Sequence, residues 1–303
     1  MRILALHGVG SSAKILESQL VGLMRSVDAS YEFVLVDGAV PSHRGPGKNT
    51  TNIPYGNLFE DDHRTTSFSS ISMSPALSGP FYSHATGYSP SEIQAAHHQI
   101  AATVDELGPF DGILGFSQGA SLALSYIYHQ QVNGEDPDFK FAVLFSSVVP
   151  FSADSTYCEG VIDQLCSYRR SGMHAKDLAP RQQVFNDCLV RTFQSALKIG
   201  AVLPDFNQDF YKDVGATVPR VLHPMLLPER IHIPTVHVSG RRDFPFMHDM
   251  HEIGYQMCDA RLSKKLHHSG GHHPPKKESE IKAVVRAMEW AVDQYYRQPP
   301  SFL

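Results

Sequence analysis

One short stretch constrains the fold of this chain more than any other: Gly115-Phe116-Ser117-Gln118-Gly119, which follows an apolar run and precedes a helix-forming one. A G-x-S-x-G pattern between a strand and a helix puts its serine on a sharp, strained turn, with the hydroxyl projecting from the sheet. The positions two residues to either side come close to that turn, and only glycine leaves room there. The following helix points its N-terminus at the serine, which favours developing negative charge. A structural turn with an idle serine is the alternative, but the context predicts Ser117 as a nucleophile.

The rest of the chain alternates short apolar runs with segments of helical period, which is typical of a parallel sheet joined by crossover helices. Several runs are apolar on both faces, as in strands that helices cover on both sides. The pattern predicts an α/β fold, with a mainly parallel sheet and helices on both faces. The predicted strands span residues 2–7, 32–37, 112–116, 141–146, 235–239 and 261–267.

Helical spacing of apolar residues predicts a helix that starts at Ser89-Pro90 and stops at Gly108-Pro109, another directly after Ser117, and a last one over residues 281–295. Two stretches interrupt the alternation. One is an excursion at about 40–89, rich in Ser, Gly, Pro and Thr. The other, at about 150–230, carries predicted helices near 157–170 and 182–198. Since long inserts between core strands are usually functional, we expect a single domain over 1–303 with an inserted lid.

A serine hydroxyl needs a base, and the base needs an acid that orients it. In folds whose nucleophilic serine lies at such a turn between a strand and a helix, the acid and then the histidine follow the serine along the chain. Asp243 ends the turn after a predicted strand, and His272 lies in a loop where Gly270 and Gly271 permit a bend back toward Ser117. The sequence therefore predicts Asp243 as the acid and His272 as the base. The rival bases are His273 and His267, and the rival acids are Asp249 and Asp259.

The transition state of such a reaction also needs two donors for its oxyanion. The Gln118 backbone N–H is one candidate, and the Val9 N–H in the glycine-containing turn after the first strand is the other. A phosphate-binding loop is excluded there, because the turn fits neither G-x-x-x-x-G-K-[ST] nor the full G-x-G-x-x-G pattern. The histidine tract near His272 has no carboxylate or cysteine at ligand spacing, and we expect neither a metal nor a cofactor.

Composition and hydropathy limit which binding partners and which cellular location we expect for this chain. The formal net charge is −5, and the sequence contains no long basic block. Both observations argue against nucleic acid as a partner. No apolar run approaches the roughly 20 residues that span a bilayer, and none at the start suits a signal peptide, so we expect a cytoplasmic protein without a membrane partner. The four cysteines show no metal-site spacing and are expected to be buried free thiols, with a lid disulfide as the alternative.

Four motifs together resemble a known family: Leu6-His7-Gly8, Gly115-Phe116-Ser117-Gln118-Gly119-Ala120, His237-x-x-Gly240-x-x-Asp243 and His268-x-Gly270-Gly271-His272. The combination resembles the fungal FSH family of serine hydrolases, whose members are α/β-hydrolases. The stretches Val36-Asp37-Gly38-Ala39-Val40-Pro41-Ser42 and Gly79-Pro80-Phe81-Tyr82-Ser83 look like a thioesterase subgroup that releases polyketides and is encoded in fungal polyketide gene clusters. The resemblance implies an α/β-hydrolase fold, with Ser117 as nucleophile, Asp243 as acid and His272 as base.

We expect a thioesterase or esterase that releases a polyketide or other acyl chain through an acyl-Ser117 intermediate. The alternatives are a carboxylesterase for free small esters, acyl transfer or cyclisation by a substrate hydroxyl, and a ligand receptor that keeps a hydrolase fold. Arg241, Arg242, Lys276 and Lys277 flank the predicted site. A basic rim of this kind would steer an acidic acyl carrier domain, although an ordinary solvated surface is the simpler interpretation.

Overall fold

The computed structural model describes residues 1–42, 45, 79–171, 178–198, 209–211 and 215–297. Its centre is a parallel sheet of six strands in the order β10-β9-β6-β5-β1-β2. The strands are β1 (Arg2–Leu6), β2 (Glu32–Val36), β5 (Gly112–Phe116), β6 (Phe141–Phe145), β9 (Thr235–Gly240) and β10 (Ser263–His268). All six correspond to predicted strands, with ends that differ by at most two residues.

Helices cover both faces of this sheet, as the doubly apolar strands require. The helices are α1 (Ala13–Met24), α2 (Pro90–Leu107), α3 (Gln118–Val132), α6 (Pro245–Gln256) and α7 (Glu278–Arg297). In β1, Ile3 and Ala5 pack in one apolar cluster with α1 and α7, while Leu4 and Leu6 pack in another with α2 and α3. The alternation along one strand therefore fills two separate cores.

Local chemistry sets the helix ends. Ser89 caps α2 through a capping box with Glu92, which agrees with the start predicted at Ser89-Pro90. Helix α1 is absent from the predicted elements, although Ser12 caps it and its apolar residues recur at helical spacing. At the predicted strand 261–267, a 3₁₀ helix occupies Ala260–Leu262 and delays β10 to Ser263, because the Asp259 side chain accepts the Arg261 N–H.

The two inserts differ in how much of them is described. In the first, β3 (Val40–Ser42) pairs with β4 (Phe81–Ser83), and the greater part of the predicted excursion lies outside the described residues. Between β6 and β9 lie β7 (Phe151–Ser152), α4 (Glu159–Ser171), α5 (Pro180–Lys198) and β8 (Arg220–Val221), with both helices close to their predicted positions. We call α4 and α5 the lid helices, and their apolar residues form a third buried cluster.

None of the four cysteines, all of which the structure describes, forms a disulfide, so the alternative of a lid disulfide is wrong. Cys166, Cys188 and Cys258 are buried as expected, whereas Cys158 is only partly buried. Within the described residues, no helix is long and apolar enough to cross a membrane.

Candidate active site

Ser117 lies at the sharp turn between β5 and α3, with φ 54° and ψ −111°, a conformation that non-glycine residues rarely adopt. Its backbone N–H is held by the Phe145 carbonyl of the neighbouring strand at 2.9 Å. A Cβ on Gly115 would lie 2.4 Å from the Ala120 Cα, and one on Gly119 would lie 2.3 Å from the Leu6 carbonyl oxygen. Both glycines of the motif are therefore required by backbone packing around the serine.

Ser117, His272 and Asp243 meet at the carboxyl edge of the sheet. The His272 Nε2 lies 3.1 Å from the Ser117 Oγ, and the His272 Nδ1 lies 2.9 Å from the Asp243 Oδ2. A neutral imidazole that donates from Nδ1 to the carboxylate leaves Nε2 free to accept from the serine hydroxyl. The serine, the imidazole and the carboxylate are thus in continuous hydrogen-bond contact, the geometry that a nucleophile, its base and an orienting acid require.

Asp243 is held as a buried carboxylate. Its side chain is 2% exposed, against 24% for that of His272. Burial by itself raises the pKa of Asp243, but the hydrogen bond and the positive charge offered by His272, with the Phe244 N–H at 2.8 Å, lower the pKa below its usual range. The carboxyl group therefore stays ionised while it orients the imidazole.

The loop that carries His272 packs tightly on the end of β9. Gly240 allows this approach, since a Cβ there would lie 2.2 Å from the Gly271 carbonyl oxygen. The Arg242 backbone N–H donates to the Gly270 carbonyl at 2.9 Å, and the Arg242 Nε donates to the Ser269 carbonyl at 2.8 Å. These contacts fix the loop that returns His272 to Ser117.

The rival residues have other partners. His273 Nδ1 contacts the Pro274 carbonyl at 2.7 Å, and His267 Nδ1 contacts the Ser239 hydroxyl at 2.9 Å. Asp259 forms an ion pair with Arg261 at 2.6 Å, and Asp249 lies on α6. Among the described residues, no three His, Cys, Asp or Glu side chains are grouped so that they could hold a metal ion.

The turn after β1 lies against the serine. A Cβ on Gly8 would lie 3.3 Å from the Ser117 Cβ, so the turn that continues into Val9 approaches Ser117 at Gly8. Gln118 is the first residue of α3, where the backbone N–H groups have no partner within the helix. The two predicted oxyanion donors therefore belong to backbone segments that flank Ser117.

Comparison with known proteins agrees with this geometry. A family model described as "Serine hydrolase (FSH1)" matches residues 1–284. This chain belongs to that family. The predicted family and α/β-hydrolase fold are thereby confirmed, and the protein is a serine hydrolase.

Individual relatives are fungal. The chain is 34% identical to "Esterase alnB" of Emericella nidulans, over 98% of each chain. It is 28% identical to "Serine hydrolase cnsH" of Penicillium expansum, over 71% of this chain and 91% of the relative. Among solved structures it is similar to ClbQ from the colibactin NRPS/PKS pathway, with 13% identity, a TM-score of 0.45 and coverage of 96% and 98%.

Two buried histidines, His7 and His84, lie near the turn after β1, and the sequence analysis assigns neither of them a role. His7 accepts the Gly38 N–H at Nε2, at 3.0 Å, so its Nδ1 donates to the Gly8 carbonyl at 2.7 Å. The His84 ring lies 4.6 Å from that of His7, and burial lowers the pKa of His84 to about 3. The Leu6-His7-Gly8 motif indicates His7, but no local pattern indicates His84, which comes from a distant segment.

The four basic residues of the expected rim are not equivalent. Arg241, Arg242, Lys276 and Lys277 are all exposed. Arg242, however, supports the catalytic loop through Ser269. A change at Arg242 would therefore disturb this loop as well as the surface charge, which sets it apart from Arg241, Lys276 and Lys277.

Proposed function

We propose that this enzyme cleaves ester or thioester bonds through an acyl-Ser117 intermediate, with His272 as general base and Asp243 as the orienting acid. The observation that carries the proposal is the continuous contact from Ser117 Oγ to His272 and on to Asp243, at 3.1 and 2.9 Å. The left-handed backbone of Ser117 supports it, because such strain persists where function retains it.

In this proposal His272 accepts one proton and returns it in both acylation and deacylation. His272 Nε2 takes the Ser117 proton as Oγ attacks the acyl carbon, and then gives it to the departing thiolate or alkoxide. Water attacks the acyl-enzyme next, with His272 taking a proton from the water and returning it to Oγ. Asp243 stays ionised throughout and stabilises the imidazolium.

We place the oxyanion between the backbone N–H groups of Gln118 and Val9. Both flank Ser117, and the N-terminus of α3 adds its partial positive charge. Donors of this kind typically contribute about 10²–10³-fold in kcat each.

A fluorophosphonate probe tests this chemistry. We expect stoichiometric labelling of Ser117, no labelling of Ser117→Ala, and loss of turnover by several orders of magnitude in Ser117→Ala and His272→Ala. A folded wild-type protein that binds ligands and is not labelled would instead be a receptor built on a hydrolase fold.

We further propose that the acyl group is a polyketide or related chain delivered as a thioester on a carrier domain. The resemblance of the first insert to the polyketide-releasing subgroup supports this proposal. Three exposed cations near the His272 loop, Arg241, Lys276 and Lys277, support it as well, because carrier domains are acidic and bear a phosphopantetheine phosphate.

The test reverses the charges of Arg241, Lys276 and Lys277 to Glu and spares Arg242, which holds the catalytic loop. Turnover of a carrier-bound acyl thioester should fall, and more so at low salt, while a small pantetheine thioester should be unaffected. A matched triple reversal of the exposed Arg25, which follows α1 directly, and of Arg286 and Arg297 on α7 should change neither rate. Equal loss on both substrates, or none on either, would favour a stand-alone carboxylesterase.

A further inference from the structure

Gln118 is predicted to contribute only its backbone N–H, yet its side chain makes three buried hydrogen bonds next to Ser117. It is 3% exposed. Its Oε1 accepts the His84 N–H at 2.9 Å, and its Nε2 donates to the Ala85 carbonyl at 2.8 Å and to the Tyr88 hydroxyl at 2.7 Å. One side chain therefore holds the segment 84–88 at three points.

Residues 82–84, which run into that segment, hold the turn that carries Val9. The Ser83 Oγ accepts the Gly10 N–H at 3.0 Å, and Ser11 and Tyr82 exchange two backbone hydrogen bonds. The His84 ring packs against that of His7 at an angle of 33°, and the His7 Nδ1 donates to the Gly8 carbonyl. Residues 82–84 thus fix the residues on both sides of Val9, and the Gln118 side chain holds this stretch through the His84 N–H.

The same side chain reaches the lid. Tyr88 accepts the third hydrogen bond of Gln118 and lies 4.9 Å from Phe151 and 5.9 Å from Phe193 of α5, ring centre to ring centre. Burial raises the pKa of Tyr88 to about 12, so its hydroxyl stays a neutral partner. Lid helix α5 therefore rests on a ring whose position depends on Gln118.

We propose that the Gln118 side chain is a positioning residue that sets the distance between the two oxyanion donors, its own backbone N–H and that of Val9. The inference rests on the function proposed above. Both donors are backbone groups with no side-chain freedom of their own, so their spacing depends on what holds their segments. A displacement of about 1 Å at such a site can lower the rate about 10²-fold.

The chain offers a matched control in Gln131 of the same helix. Gln131 accepts the His232 N–H at 2.9 Å and donates to the Arg230 carbonyl at 2.8 Å, the same pair of backbone contacts that Gln118 makes. It lies 13 residues further along α3, roughly 20 Å from the site. Gln131→Met therefore removes equivalent bonds without touching the nucleophile turn.

The experiment compares Gln118→Met, Gln118→Glu and Gln131→Met, with kcat expressed per titrated active site. For Gln118→Met we expect kcat to fall roughly 10–100-fold with KM within about twofold, because only the transition state uses both donors. The Ki of a trifluoromethyl ketone, which forms a tetrahedral oxyanion, should rise by the same factor as kcat falls. Gln118→Glu keeps the acceptor for the His84 N–H and should recover part of kcat.

Gln131→Met should lower the melting temperature and leave kcat and Ki at their wild-type values. A Gln118→Met protein with wild-type kcat and Ki would overturn the inference. If Gln118→Met does not fold, Gln118→Glu carries the test. It lacks the Nε2 donor to the Ala85 carbonyl, so its kcat should stay below the wild-type value, and a wild-type kcat would overturn the inference. Ser117→Ala separates the two proposals, since wild-type turnover there refutes the acyl-enzyme chemistry whatever Gln118 does.

Discussion

Gly119→Ala is a sharp test of the nucleophile turn, because its cost can be worked from the structure. The added methyl carbon would lie 2.3 Å from the Leu6 carbonyl oxygen and 2.7 Å from that of His7. An ordinary contact is about 3.4 Å or more, so the start of α3 must move roughly 1 Å away from β1. Both opposing atoms are backbone atoms of a buried strand end, and they cannot rotate away.

Overpacking of a buried contact costs about 1–3 kcal/mol, and the upper end applies where only backbone can yield. The same movement displaces Ser117 and the Gln118 N–H from the acyl carbon, which should lower kcat about 10²-fold. Urea denaturation measures the first effect, and kcat per titrated active site measures the second.

Gly160→Ala is the matched control. Gly160 is the second residue of α4, as Gly119 is of α3, and a Cβ there meets no atom within 4 Å. Helix propensity favours alanine by about 0.5–1 kcal/mol at either position, so Gly160→Ala should be neutral or slightly stabilising with unchanged kcat. If Gly119→Ala behaved in the same way, the steric account of the turn would be refuted.

Two further predictions concern the acid and the buried imidazoles. Asp243→Asn should lower kcat about 10⁴-fold with little change in KM, because the amide favours the wrong His272 tautomer. Steady-state kinetics measure both constants, and a loss in kcat below about tenfold would contradict this prediction. Burial lowers the pKa of both His84 and His97 to about 3, below the value of about 6.5 in the unfolded chain. The unfolded state therefore binds the extra protons, and stability falls as pH drops below 6.5. Each group should contribute ~2 kcal/mol of lost stability at pH 5, and urea denaturation of His97→Leu should show a shallower pH dependence than wild type.

The sequence predicts β1, β2, β5 and β6 because each is a short, mainly apolar run bounded by turn residues, and such runs are buried in a fold. Strand β9 carries Thr, His and Ser beside its valines, and β10 is mostly polar. The sequence predicts the start of β10 less well, since the 3₁₀ helix at Ala260–Leu262 depends on one hydrogen bond that the Arg261 N–H donates to the Asp259 side chain. Element ends are set by such single contacts, which periodicity does not encode.

The three residues that we propose as nucleophile, acid and base could be chosen from the sequence because the order of strand ends restricts which loops meet Ser117. The choice of His272 over His273 depends on how the glycine loop packs on Gly240, a contact between segments 30 residues apart. The support from Arg242 and from the Gln118 side chain could not be predicted, because each requires a backbone carbonyl whose position only the folded chain defines.

The acyl-enzyme itself is the most direct test of the proposed chemistry. Wild-type protein mixed with a short-chain acyl thioester, quenched in acid within milliseconds and digested, should yield a peptide in which the acyl mass resides on Ser117. His272→Ala should show no such adduct on this timescale, since the nucleophile lacks its base. Turnover of the thioester without any adduct at Ser117, or turnover that persists in Ser117→Ala, would contradict the account.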